Sequence, residues 1–80
     1  MGRIVTGNLP DDISEEEIRE ALKEYAPVEK ISLIKESDAP TAVIETDLTH
    51  AHATALAKRI NGRLYHGRAL TAWAPTMDWG

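Results

Sequence analysis

Apolar residues along this chain recur with a period of two in some stretches and of about 3.6 in others, and the switches between those periods mark out strands and helices. Arg3 to Leu9 reads as a strand from its β-branched run, and Gly7-Asn8-Leu9-Pro10-Asp11-Asp12 carries the turn chemistry that ends it. Ser14 and Glu17 have the spacing of a capping box, and the acids of the first turn favour the positive end of a helix dipole. In the helix that starts there, Ile18, Ala21, Leu22 and Tyr25 fall on one stripe that turns inward and leaves the glutamates outside; Pro27 stops it.

Val28 to Lys35 predicts a second strand, with Ile31 and Leu33 on one face and Lys30, Ser32 and Ile34 on the other. After the polar connection Lys35 to Pro40, Thr41 to Thr46 predicts a third strand, antiparallel to the second. Its inward set is Ala42, Ile44 and Thr46, because the opposite choice buries Glu45. Thr49 caps a second helix that runs through Ile60, with Ala53, Leu56, Ala57 and Ile60 at helical spacing and Asn61-Gly62 as its C-terminal stop. Arg68 to Ala74 closes the pattern as a strand with Leu70, Ala72 and Ala74 on one face and Thr71 and Trp73 on the other. The order strand-helix-strand-strand-helix-strand predicts an α+β fold, a β-α-β-β-α-β ferredoxin-like sandwich. Its four-stranded antiparallel sheet has two helices on one face and leaves the second face open.

Length and charge narrow this picture. Eighty residues make one small domain, residues 1–80, with its core at about 3–75 and a tail at 76–80. Thirteen acids against nine bases leave a net charge of −4, which argues against a broad basic footprint for phosphate. The acid is concentrated, however. Between Asp11 and Glu24 there are seven acids and two bases, a local net of −5, so the remainder carries +1. A local binding face outside the first helix survives that balance.

The order of elements and four segments, IVTGNLP at Ile4 to Pro10, the acid-capped helix from Ser14, TAVIET at Thr41 to Thr46 and INGRLYHGRAL at Ile60 to Leu70, resemble the RNA-recognition motif over Arg3 to Pro75. That family's long signature runs Lys/Arg-Gly-aromatic-Gly/Ala-aromatic-Val-x-aromatic and maps onto Ala39 to Thr46, where Ala42 and Ile44 keep their character. The short signature maps onto Ile4 to Leu9, with Gly7-Asn8-Leu9 well matched. The spacing from Thr46 to the second helix is one residue longer than the commonest pattern, and a slip of one brings no aromatic either.

The resemblance implies a non-catalytic module that binds single-stranded RNA on its open sheet face, and it implies that the binding here is weak. The stacking positions fall on Val5, Thr41 and Val43, and the chain has no Phe at all. Base stacking on a ring is worth about 1–3 kcal/mol, so two missing platforms cost roughly 2–6 kcal/mol. The lead cation of the long signature is Ala39, and Glu36 and Asp38 occupy the loop beside it. Trp73 lies beside Val5 if the family's 4-1-3-2 strand order holds, and Trp79 in the tail is a second ring that can fold across the sheet. Arg3 and Lys30 flank the face as candidate phosphate contacts. The candidate ligand residues are therefore Arg3, Val5, Asn8, Lys30, Ser32, Ile34, Thr41, Val43, Thr71, Trp73 and Trp79, with Trp73 as the main anchor. Plain packing of the two indoles is the competing reading.

A protein partner is the alternative. Val5, Ile34, Val43 and Trp73 form an apolar patch suited to a protein or to a second copy of the chain. Arg63-Leu64-Tyr65 resembles the Arg-x-Phe element of a protein-binding variant of the motif known from splicing factors, which captures a tryptophan and has an acidic first helix. The residues this implies are Arg63, Tyr65, Glu16 and Glu20. The bland reading is a hairpin whose Tyr65 packs on the helix end and whose Arg63 is solvated.

Other chemistry is set aside. His50 and His52 lie two apart at a helix start and point to different faces, with no third ligand near, so no metal is expected. His66 reads as a turn residue. The glutamates of the first helix lack a pocket, and no nucleophile with a partnered base and no phosphate-cradling glycine loop is present, so neither catalysis nor a cofactor is expected. Met1-Gly2 through Thr6 fits a myristoylation pattern by chance, since Gly2 abuts a strand. With no cysteine, no signal segment and no membrane-length apolar run, the expectation is an intracellular, cytoplasmic or nuclear, location without membrane contact.

Overall fold

The computed structural model describes residues 2–25, 27–35 and 39–75; Glu36, Asp38 and the tail with Trp79 lie outside them. The elements run β1 (Gly2–Gly7), α1 (Glu15–Leu22), β2 (Val28–Ile34), β3 (Thr41–Thr46), α2 (His50–Ile60), β4 (Leu64–Tyr65), β5 (Arg68–Ala69) and β6 (Thr71–Trp73). The main sheet has the order β2-β3-β1-β6 with every neighbour antiparallel, and β4 and β5 form a separate hairpin. This is the α+β sandwich expected from the periodicities, with the strand order that the resemblance implies.

Local chemistry accounts for most boundaries. The Ser14 hydroxyl accepts the Glu17 N–H at 3.2 Å and starts α1; Thr49 does the same for His52 at 3.3 Å and starts α2. Asn8 adopts φ 59°, which takes the chain out of the extended ladder, so β1 ends at Gly7 and not at the expected Leu9. Gly62, at φ 87°, turns the chain back after α2.

Two expectations need correcting. Tyr25 does not continue the inward stripe of α1. The helix stops at Leu22, the Tyr25 N–H closes a further turn onto the Leu22 carbonyl at 2.8 Å, and the side chain is exposed together with Ala21. Nor is Arg68 to Ala74 one strand. Leu70 is held to the segment after α2, donating to Arg63 O at 2.8 Å and accepting from Gly62 N at 2.7 Å, so pairing with β1 begins only at Thr71.

The core lies between the helices and one sheet face. Ile4, Ala42 and Ile44 from the strands meet Ile18 and Leu22 of α1 and Ala53, Leu56, Ala57 and Ile60 of α2. Thr46 shares that face as expected and is satisfied there: its hydroxyl donates to Gly2 O at 3.4 Å and accepts from Leu48 N at 3.3 Å.

Candidate ligand-binding face

Side chains alternate along a strand, so fixing the inner set fixes the outer one. On the face away from the helices, Val5 stands opposite Trp73 on one side and Val43 on the other, and Val43 stands opposite Ser32. A second row carries Thr71 opposite Gly7 at one edge and Thr41 opposite Ile34 at the other. A third sets Glu45 opposite both Arg3 and Lys30. These rows bring together Arg3, Val5, Lys30, Ser32, Ile34, Thr41, Val43, Thr71 and Trp73.

The row of Trp73, Val5 and Val43 is the apolar one: Trp73 is 56% exposed, while Val5 and Val43 are half-buried between their strands. Ile34, 41% exposed, adds apolar surface in the next row. Trp73 is the one ring on this face among the described residues, and it lies directly across from Val5, the position on β1 where the short signature has a stacking ring. The polar row carries two cations and one carboxylate, a net of +1 in a chain of net −4. That places positive charge at one end of the face and keeps the acids of α1 on the other side of the sheet.

Asn8 lies just beyond the end of β1, and its groups are engaged within the chain. Its amide donates to Ala69 O at 2.7 Å, its side-chain oxygen accepts from Arg68 Nη2 at 3.1 Å, and its carbonyl accepts from Arg68 Nε at 3.3 Å. This clasp ties β1 to β5 and frames the Thr71 edge of the sheet. Trp79 lies outside the described residues.

Arg63 and Tyr65 stand on the opposite side, against α1. Arg63 donates to the Tyr25 hydroxyl at 2.7 Å, so it is not simply solvated. Tyr65 is half-buried, stacks on His66 with ring centres 4.2 Å apart, and donates to Glu17 Oε2 at 3.3 Å. Burial first, then the Glu17 carboxylate and more distantly Asp12, hold the Tyr65 phenol above its ordinary pKa. Glu16 and Glu20 are exposed along α1, and Glu20 pairs with Lys23 at 3.5 Å.

Sequence reasoning overlooked Arg68, Glu45 as a neighbour of both cations, and Thr6. The signal for Thr6 was present, since it alternates with Ile4 and therefore points into the core. Among the described residues no group of three or more His, Cys, Asp or Glu is placed to hold a metal ion, and no helix is long and apolar enough to cross a membrane.

Residues 4–71 match the family model for the RNA recognition motif. Among solved structures, the third RRM of Pes4 superposes with a TM-score of 0.84 at 20% identity, covering 100% of this chain and 98% of that one. The Rna15 RRM with bound RNA (GU) superposes at 0.76 with 19% identity, covering 94% of this chain and 83% of that one. The C. elegans NONO-1 homodimer gives 0.73 at 30% identity over 88% of this chain, which spans only 27% of that much longer one. No curated protein sequence matches significantly.

Proposed function

The chain belongs to the RNA recognition motif family, and on that premise we propose that it binds single-stranded RNA weakly, without catalysis, through the open face of its sheet. The observation that carries this reading is Trp73, exposed on that face and in register with Val5 and Val43. One base stacks on the indole. The neighbouring nucleotide lies over the two valines, which offer apolar contact without a ring, while Ser32, Thr41 and Thr71 supply hydroxyls to base edges. Arg3 and Lys30 meet phosphates at the far end of the face. A single ring in place of a full platform keeps the affinity low.

A residue-resolved NMR titration with random-sequence single-stranded RNA tests this. Shifts centred on Val5, Val43 and Trp73 are expected, with a salt dependence near two phosphate contacts, a log–log slope of about −1.4. Trp73→Ala should lower the affinity by about five- to 150-fold, the equivalent of about 1–3 kcal/mol of stacking, and leave the fold intact. No response at millimolar RNA overturns the reading. A tumbling time that rises with protein concentration in the absence of RNA would instead mark the apolar row as a contact between two copies.

A further inference from the structure

The polar row of the open face holds a residue that its strand does not require. Glutamate is disfavoured in strands, and a threonine or valine would suit the pleat of β3 better. Glu45 stands between Arg3 on β1 and Lys30 on β2, half-buried and on the side away from the helices. A carboxylate there opposes the approach of phosphate. The bland account is that it pairs with the two cations across the strands. Among the described residues, however, Glu45 is in no ion pair and accepts no hydrogen bond, so its oxygens are not used within the fold.

Its chemistry differs from that of every side chain around it. The hydroxyls of Ser32, Thr41 and Thr71 both donate and accept, so they fit either kind of base edge, while Arg3 and Lys30 only donate. Glu45 is the one side chain on this face, among the described residues, that only accepts. It lies two positions along β3 from Val43, about 7 Å, and Val43 belongs to the row that carries Trp73. A base over Val5 and Val43, next to the one stacked on the indole, therefore has Glu45 at its edge. Single-stranded RNA exposes the Watson–Crick edges of its bases for such contacts. On that edge guanine alone sets two donor groups side by side, N1–H and the N2 amino group, and a carboxylate matches them with two parallel acceptors. Adenine, cytosine and uracil each present a single donor group there.

On the reading that RNA binds the open sheet, we propose that Glu45 selects guanine at the nucleotide next to the one stacked on Trp73. The two carboxylate oxygens accept from N1–H and N2–H of that base. Arg3 and Lys30 on either side offset the repulsion between the carboxylate and the phosphates. Glu45 thus sets specificity, and it lowers the affinity for sequences that lack guanine.

The test is an NMR titration of the full chain with short RNAs that are uridine throughout or carry guanosine, inosine, adenosine or cytidine at the centre. The guanosine oligonucleotide should bind about tenfold more tightly than the others, near the lower end of what one hydrogen bond to a charged group is worth. Inosine lacks only the N2 amino group, so its deficit isolates the second bond. Glu45→Gln keeps the size of the side chain and loses the charge and one acceptor. In that variant guanosine and inosine should bind equally, and the uridine oligonucleotide should bind more tightly than it does to wild type. Equal binding of all the oligonucleotides by wild type overturns the selectivity and leaves RNA binding on the sheet standing; absence of shifts with any of them at millimolar concentration overturns both. A Glu45→Gln variant that still prefers guanosine over inosine overturns the assignment to Glu45.

Discussion

Thr46 and Thr6 mark opposite ends of the same buried sheet face, and the two ends are built differently. At the Thr46 end both roles of the hydroxyl are used, toward Gly2 O and Leu48 N, and α2 approaches so closely that a Cβ on Gly2 would lie 2.7 Å from the Ala53 Cβ. At the Thr6 end the hydroxyl has no partner and a cleft opens between α1 and the hairpin. Small residues explain the closed end, where Gly2 and Ala53 let strand and helix come close. The open end would need volume to be closed, and a chain without Phe, with Tyr25 displaced to the surface, does not provide it. One end of this core is closed by its own residues, and the other keeps a cleft and an unpartnered hydroxyl.

The most disruptive way to probe this contrast is to hollow the face midway between the two ends. Ile4 is 0% exposed and pairs with Ile44 at the centre of the sheet. Ile4→Ala should cost about 2–5 kcal/mol, a large share of the stability of so small a domain, and chemical denaturation followed by circular dichroism will show it. Leu64→Ala at the mouth of the cleft, where the side chain is 75% exposed, should change stability by under about 0.5 kcal/mol. Comparable losses at the two positions would mean that the cleft is closed in solution.

A sharper probe makes the same substitution at both ends. Thr46→Val leaves the Leu48 N–H without its acceptor and should cost about 1–3 kcal/mol. Thr6→Val removes an orphaned hydroxyl and should stabilise the chain by about 1 kcal/mol. Opposite signs in paired urea midpoints support the reading of closed and open ends. A loss at both positions would show that Thr6 has a partner in solution.

Much of this was legible from periodicity alone. Ala42, Ile44 and Thr46 must face inward because the alternative buries Glu45, and the spacing of Ala53, Leu56, Ala57 and Ile60 sets the inner stripe of α2; all are buried. Trp73 could be set beside Val5 only through the strand order of a family that the segments resemble, since nothing in the chain's local chemistry says which strands adjoin. The division of the last strand was hidden because it depends on where the backbone groups of Leu70 go, and those bonds reach back to Gly62 and Arg63. Tyr25 kept the helical spacing and still turned outward, because spacing cannot tell that the helix ends three residues before it. The cleft was invisible for a related reason: a void is a sum over volumes from every element that surrounds it, and no single segment reports that sum.

The smallest expected effect concerns Tyr65, which stands between the cleft and an acidic hollow along α1. Its phenol is neutral when it donates to Glu17 Oε2, and burial, Glu17 and Asp12 all disfavour the phenolate. The folded chain therefore holds this proton more tightly than the unfolded chain does. Below about pH 10 both states are protonated and the contribution is fully present; as pH rises past that value the unfolded state loses its proton first and stability falls. The informative quantity is the difference between wild type and Tyr65→Phe in urea midpoint between pH 9 and 11. Wild type should lose slightly more than the variant over that interval. RNA bound on the opposite face of the sheet would leave this difference unchanged, so the modest pH dependence reports on the helix side of the domain alone.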